Sequence, residues 1–155
     1  MKIIVFSDSH GQPDKMLAAI VQASPNMIIH LGDGGRDIEK IKKQFPQIPL
    51  EAVRGNCDLS SDLPESALLT VAGARIFITH GHIYRVKQTL SLLTDEARKL
   101  NADMVLFGHT HIANNTTEGG LYVLNPGSAG NCGCPSCAEI VIDDKREIFC
   151  RIIRI

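Results

Sequence analysis

Two short motifs hold the side chains best suited to grip a metal ion. Asp8 and His10 lie in Ser7-Asp8-Ser9-His10-Gly11, directly after the apolar run Ile3-Ile4-Val5-Phe6. His109 and His111 lie in Gly108-His109-Thr110-His111, after the apolar run Met104 to Phe107. Residues two apart in an extended segment point the same way, so each motif presents both of its side chains to one side. A carboxylate and an imidazole converging at a strand's carboxyl end can chelate a cation. Asp33, Asn56 and His80 also follow apolar runs, each with a glycine beside it (Gly32, Gly55, Gly81) that lets the backbone turn sharply. Together these groups supply mixed nitrogen and oxygen ligation, which suits Mn, Fe, Zn or Ni and is too nitrogen-rich for Ca or Mg. One carboxylate bridging two ions would make a two-metal site, with the ions about 3.5–4 Å apart.

Alternating strand-like and helix-like segments must position these groups, which points to an α/β domain. The apolar run at 3–6 reads as a buried strand. Pro13 opens a helix with Met16, Leu17, Ile20 and Val21 on one face, ended by Ser24-Pro25-Asn26. Strands are expected at Met27 to His30 and Pro49 to Val53, with a short helix from Asp37 to Gln44 between them. Ser66 to Val71 and Arg75 to Thr79 read as two strands joined by Ala72-Gly73-Ala74. Val86 to Leu100 carries the longest helical pattern, with Leu90, Leu93, Ala97 and Leu100 on one face, and precedes the strand at 104–107. From Ile112 onward helix signals vanish. Strands are expected at 112–117, 121–124, 139–142 and 147–153, the last two joined by a tight turn near Asp143-Asp144-Lys145. Two packed sheets with helices outside accommodate this mixture, and 155 residues predict one domain spanning 1–155.

A net charge of −1 gives no footprint for nucleic acid or an anionic membrane surface. No apolar stretch approaches the roughly 18–20 residues of a membrane span, and no signal-peptide pattern follows Met1, so cytoplasmic residence is expected. Five cysteines in no framework spacing do not describe a disulfide scaffold. The cluster Cys132-Gly133-Cys134-Pro135-Ser136-Cys137 falls one thiol short of a four-cysteine metal site, and it reads as a set of local substitutions in a loop.

The ordered motifs D-x-H, G-D, G-N-x-D, H-G-H and G-H-x-H resemble the calcineurin-like metallophosphoesterase superfamily over nearly the whole chain. Gly55-Asn56-Cys57-Asp58 and Asn125-Pro126-Gly127-Ser128 are similar to its short prokaryotic phosphodiesterase branch. The resemblance implies a four-layer α-β-β-α sandwich of two mixed sheets around two divalent transition-metal ions, Mn foremost, with Fe, Zn or Ni as alternatives. It implies that Asp8, His10 and His111 hold one ion, that Asn56, His80 and His109 hold the other, and that Asp33 bridges. The implied activity is hydrolysis of a small-molecule phosphodiester by water activated at the two ions. Asp33, Asn56 and His80 then also count as catalytic residues.

Many superfamily members carry histidine as a general acid where this chain has Cys57. A thiol with a pKa of about 8.5 is a poorer proton donor than imidazole at pH 7. His82 is the candidate to take over substrate contact or proton delivery, and Asp58 is a candidate to orient the residue at 57. Arg36 and Arg54 flank the motifs and are candidate phosphate contacts, whereas His30, inside an apolar strand, reads as a satisfied core residue. A site with few cations favours the singly charged diester over a monoester, which is the alternative substrate class. A further alternative is a non-catalytic interaction scaffold, as in the retromer subunit that shares this fold, but its degraded ligand set contrasts with the complete one here. Homo-oligomerisation is left open by the sequence.

Overall fold

Apolar alternation decides the layering. The computed structural model describes residues 1–130 and 133–155. One sheet contains β1 (Lys2–Phe6), β2 (Met27–His30), β3 (Leu50–Ala52), β9 (Ser136–Ile142) and β10 (Ile148–Arg154), in the order β10-β9-β1-β2-β3. The other contains β4 (Ser66–Val71), β5 (Ala74–Thr79), β6 (Met104–Leu106), β7 (Asn114–Glu118) and β8 (Leu121–Asn125), in the order β4-β5-β6-β8-β7. On β1, Ile3 and Val5 join Ile29 of β2 and Ile76, Ile78 and Leu106 of the opposite sheet in one buried cluster, which is the layer between the sheets. Ile4 and Phe6 point the other way and pack with Ile28 against Met16, Ala19 and Ile20 of α1 (Asp14–Ala23) and Ile41 of α2 (Gly35–Gln44). Phe77, Val105 and Val123 pack on Leu93 and Ala97 of α3 (Ser91–Lys99). This is the expected α-β-β-α sandwich. Each fully buried Ile or Leu contributes on the order of 1.5–3 kcal/mol, so the central strands are held from both faces.

β1, β2 and β3 are mutually parallel, as are β5, β6 and β8. Their carboxyl ends therefore gather at one edge of each sheet, where the loops bearing the polar motifs begin.

The helix expected at 86–100 is shorter than its pattern. α3 starts at Ser91, and before it come a 3-10 turn at His82–Tyr84 and Arg85 in the left-handed region at φ 54°. Val86 meets its apolar requirement without helix, by burial in the same cluster as Phe77 and Phe107. The strand expected from Ile112 begins at Asn114, because Thr110 Oγ1 accepts the Ile112 N–H (3.2 Å) and closes a local turn. α2 starts two residues early, at Gly35, whose N–H is capped by Asp58 Oδ1 (2.9 Å) from a distant loop. Cys137 belongs to β9 and not to the preceding loop. No helix of the described residues is long and apolar enough to cross a membrane.

Candidate metal centre

The loops after β1, β2, β3, β5 and β6 bring Asp8, His10, Asp33, Asn56, His80, His109 and His111 together. Asp8 is fully buried at the end of β1. Its Oδ2 accepts the Ser7 hydroxyl and the His109 N–H (3.0 Å). Its Oδ1 is buried with no hydrogen bond among the described residues, 3.1 Å from His111 Nε2 and 3.9 Å from His10 Nε2. Those two imidazole nitrogens are 3.4 Å apart. A desolvated carboxylate oxygen left unpaired is costly, and two imidazoles aimed at it make a cation the fitting third party.

A second group forms around His80, also fully buried. Its Nδ1 lies 2.8 Å from the Leu31 carbonyl, which can only accept, so Nδ1 carries a proton and Nε2 is turned towards the other donors. Asn56 Oδ1 and His109 Nδ1 each lie 3.1 Å from Nε2, and Asp33 Oδ2 lies 3.5 Å from it. Asn56 Nδ2 donates to Cys57 Sγ (3.3 Å), which turns the amide oxygen towards His80. Nε2 of His80 and Oδ1 of Asn56 thus face each other across a gap where a cation would find both. Burial, followed by the neighbouring His80, lowers the His109 pKa to about 4, so His109 is neutral at pH 7 and able to ligate.

Asp33 lies between the groups. The ligating atoms of Asp8, Asp33 and His80 fall within 4.8 Å of one another, as do those of Asp8, His10 and His111, and those of His10, Asp33 and Cys57. Burial opposes Asp33 ionisation, but the Cys57 N–H on its Oδ1 (2.8 Å) and the adjacent His80 outweigh it and hold the carboxyl below its usual range. Asp33 thus stands between two groups of donors that could each hold a metal ion.

The supporting contacts explain how the chain holds this geometry. Asp8, His10, Asp33, His109 and His111 all have φ between 47° and 66°, the left-handed region that non-glycine residues rarely occupy. The two-apart motifs are therefore not extended, contrary to expectation, and their side chains converge because loop-to-loop hydrogen bonds fix the backbone. Asp8 N–H donates to Gly32 O and His10 N–H to Asp33 O, both at 3.0 Å. Asn125 Nδ2 donates to Gly108 O (2.9 Å), and the Ser128 hydroxyl donates to Asp8 O (2.8 Å). Sequence reasoning gave Ser7 no role, and Asn125 and Ser128 none beyond the branch motif. The position of Ser7 next to Asp8 was the available signal for it; Asn125 and Ser128 lie far in sequence from the residues they hold.

The remaining candidates fall in different places. Asp58 points away from the donors and accepts the N–H groups of Asp33 (2.7 Å), Gly55 (2.9 Å) and Gly35 (2.9 Å), so it braces the loops of Asp33 and Asn56. Cys57 is exposed, and partial loss of water around its sulfur, followed by the Asp33 carboxylate, raises its pKa, keeping the thiol protonated. His82 stands at the rim, its ring centroid 5.5 Å from that of His80 and 6.1 Å from that of His109. Its buried Nδ1 has no hydrogen bond among the described residues, and burial, then His80, lowers its pKa. Arg54 is committed to Glu65 (2.8 Å). Arg36 lines a groove of about 810 Å³ that also touches His10, Asp33, Cys57 and Leu59. His30 is buried, as expected. Cys137 is buried against α1, its thiol pushed up to about 12 by burial, while Cys134 is exposed; Cys132 lies outside the described residues.

Sandwich and donor set together define a metallophosphoesterase, and the chain belongs to the calcineurin-like phosphoesterase superfamily, whose family model matches residues 1–145. It is 36% identical over 131 residues to the probable metallophosphoesterase YsnB of Bacillus subtilis, covering 83% of this chain and 75% of that protein. It is 27% identical over 152 residues to the phosphodiesterase YfcE of Escherichia coli, covering 83% of this chain and 79% of YfcE. Among solved structures, the Zn²⁺ complex of Vps29 from Entamoeba histolytica superposes with a TM-score of 0.76 over 99% of each chain at 22% identity, which shows the shared fold.

Proposed function

We propose that the protein is a metal-dependent phosphodiesterase acting on a small-molecule diester. The observation that carries this reading is the set of carboxylate, imidazole and amide donors that converges around Asp33. Asp8, His10 and His111 hold one divalent ion, Asn56, His80 and His109 hold the second, and Asp33 serves both. When bound, the ions polarise the phosphoryl oxygens and lower the pKa of the attacking water towards neutrality. His80 keeps its proton on Nδ1, out of the reaction, through Leu31. His82, at the rim beside His80 and His109, is the candidate to contact the substrate or to deliver a proton to the leaving oxygen when its ring is protonated. Among the described residues lining the groove, Arg36 is the one arginine or lysine, and the carboxylates of Asp33, Glu39 and Asp58 line it too. With Arg54 paired to Glu65, the site offers little for the second charge of a monoester. YfcE, a phosphodiesterase by name, supports the same substrate class.

The test is a panel of bis-p-nitrophenyl phosphate, p-nitrophenyl phosphate and cyclic nucleotides, assayed on chelated protein reloaded with Mn²⁺, Zn²⁺, Fe²⁺, Ni²⁺ or Mg²⁺. Diester hydrolysis should vanish on chelation and return with transition metals, Mn²⁺ foremost, more than with Mg²⁺. Full activity in excess chelator, with no metal in elemental analysis, would sink the reading, and a preference for the monoester would select the alternative substrate class. The Vps29 likeness favours a second reading, a protein-interaction scaffold. A chain that binds metal yet hydrolyses nothing in the panel would select it.

A further inference from the structure

Among the described residues, the His10 ring has no hydrogen bond to anything but the other proposed ligands. Nε2 lies near Asp8 Oδ1 and His111 Nε2, and the side chain is 38% exposed. Its aim must therefore come from the backbone, which is held at an unfavourable φ of 47°. The residues on either side of His10 are gripped by a single atom. Asp37 Oδ2 accepts the Ser9 hydroxyl at 2.7 Å and the Gly11 N–H at 2.8 Å.

The direction of this network is forced. His30 Nδ1 accepts the Gly32 N–H (3.2 Å), which puts the ring proton on Nε2, 3.3 Å from Ser9 Oγ. Ser9 thus receives from His30 and has its one proton left to give, to Asp37. Ser9, His30 and Asp37 are all buried, Asp37 to 1% exposure in the first turn of α2. Gly34 leaves room for the helix to press in, since a Cβ there would collide with the His30 ring and lie 2.8 Å from Ser9 Oγ. Asp37 Oδ1, by contrast, is buried with no hydrogen bond among the described residues. Beside the buried Ile38 and Ile41, the carboxylate at 37 does not serve apolar packing; what it supplies is the acceptor for the Ser9 hydroxyl and the Gly11 N–H.

We propose that Asp37 is a positioning residue for the metal centre: by clamping Ser9 and Gly11 it fixes the aim of His10, and it acts on the ion held by Asp8, His10 and His111 but not on the ion held by Asn56, His80 and His109. The inference rests on the dinuclear reading above. Partners that orient metal ligands from behind typically set 10–100-fold in affinity.

Chelated wild type, Asp37→Ala, Asp37→Asn and Ser9→Ala are titrated with Co²⁺, and stoichiometry, affinity and the ligand-field absorption of each bound ion are recorded. Wild type should take two ions. Asp37→Ala should weaken one of them about 10–100-fold and leave the other within about threefold. Asp37→Asn keeps an oxygen for both donors and should restore binding to within about threefold, and Ser9→Ala should weaken the same ion by a smaller factor. In a His10→Ala background, Asp37→Ala should cost no further affinity, because a residue acting through His10 has nothing left to position. If Asp37→Ala does not fold, Ser9→Ala and its combination with His10→Ala decide by the same criterion. Equal weakening of both ions, a penalty that persists without His10, or wild-type binding by Asp37→Ala with two ions bound would overturn the inference alone. A wild type that takes up no ion would overturn the dinuclear reading and the inference with it.

Discussion

Acid should destabilise the metal-free protein through His30, and the size of the effect follows from its burial. The ring has no exposed surface, and burial lowers its pKa from the ordinary 6.5 to about 4, against the opposing pull of the Asp8, Asp58 and Asp37 carboxylates. Between those values the unfolded chain binds a proton that the folded chain refuses. The contribution to stability is therefore complete above pH 6.5 and is lost as the pH falls towards 4. Linkage puts the loss at about 2 kcal/mol by pH 5 and about 3 kcal/mol by pH 4. The assay is urea unfolding of chelated wild type and His30→Asn, each at pH 7 and pH 5. Asparagine keeps an acceptor for the Gly32 N–H but does not titrate, and comparing each protein with itself cancels any constant cost of the substitution. Wild type should lose about 2 kcal/mol more than the variant over that interval. Parallel losses in the two proteins, or a His30 ring resonance titrating near its ordinary pKa, would refute the reasoning.

Other substitutions separate the roles of the loop residues. Asp33→Asn should abolish turnover and weaken both ions in a metal titration, and tight binding of two ions by this variant would count against a shared carboxylate. Gly55→Ala places a Cβ against Asp33 Oδ1 and 2.6 Å from Asp33 N. It should cost about 1–3 kcal/mol in urea unfolding and displace the carboxylate, lowering turnover far more than stability. Cys57→Ala should change hydrolysis of activated diesters by no more than a few-fold, since a protonated thiol beside Asn56 only helps orient the amide. A loss of 10²-fold or more would make the thiol a general acid. Cys57→His should flatten the dependence of rate on leaving-group pKa, read from a series of aryl and alkyl diesters.

What the sequence made legible, and what it did not, divides along the distance over which each feature is specified. The apolar runs before Asp8, Asp33, Asn56, His80 and His109 place these residues at strand ends by local pattern alone, and the parallel pairing of β1 with β2 and of β5 with β6 sends those ends to the same edge. The conformations of Asp8 and His10 were not legible. Their left-handed backbones depend on Gly32, Asp33, Asp37 and Ser128, which are contributed by other loops and by the start of α2. Asp37 carries no local signal, because an acidic residue in the first turn of a helix is expected for the helix's own sake. Only the fold reveals that this one is buried and turned towards Ser9 and Gly11. Val86 misled for the same reason in reverse: its apolar spacing fits a helix, yet its burial with Phe77 and Phe107 is reached from a turn. Local pattern reports that a side chain must be buried or a donor presented, and long-range hydrogen bonds decide the backbone geometry that does it. Asp37→Ala and Asp58→Ala should therefore disturb the proposed metal site through the loops they brace, although neither carboxylate is one of the donors.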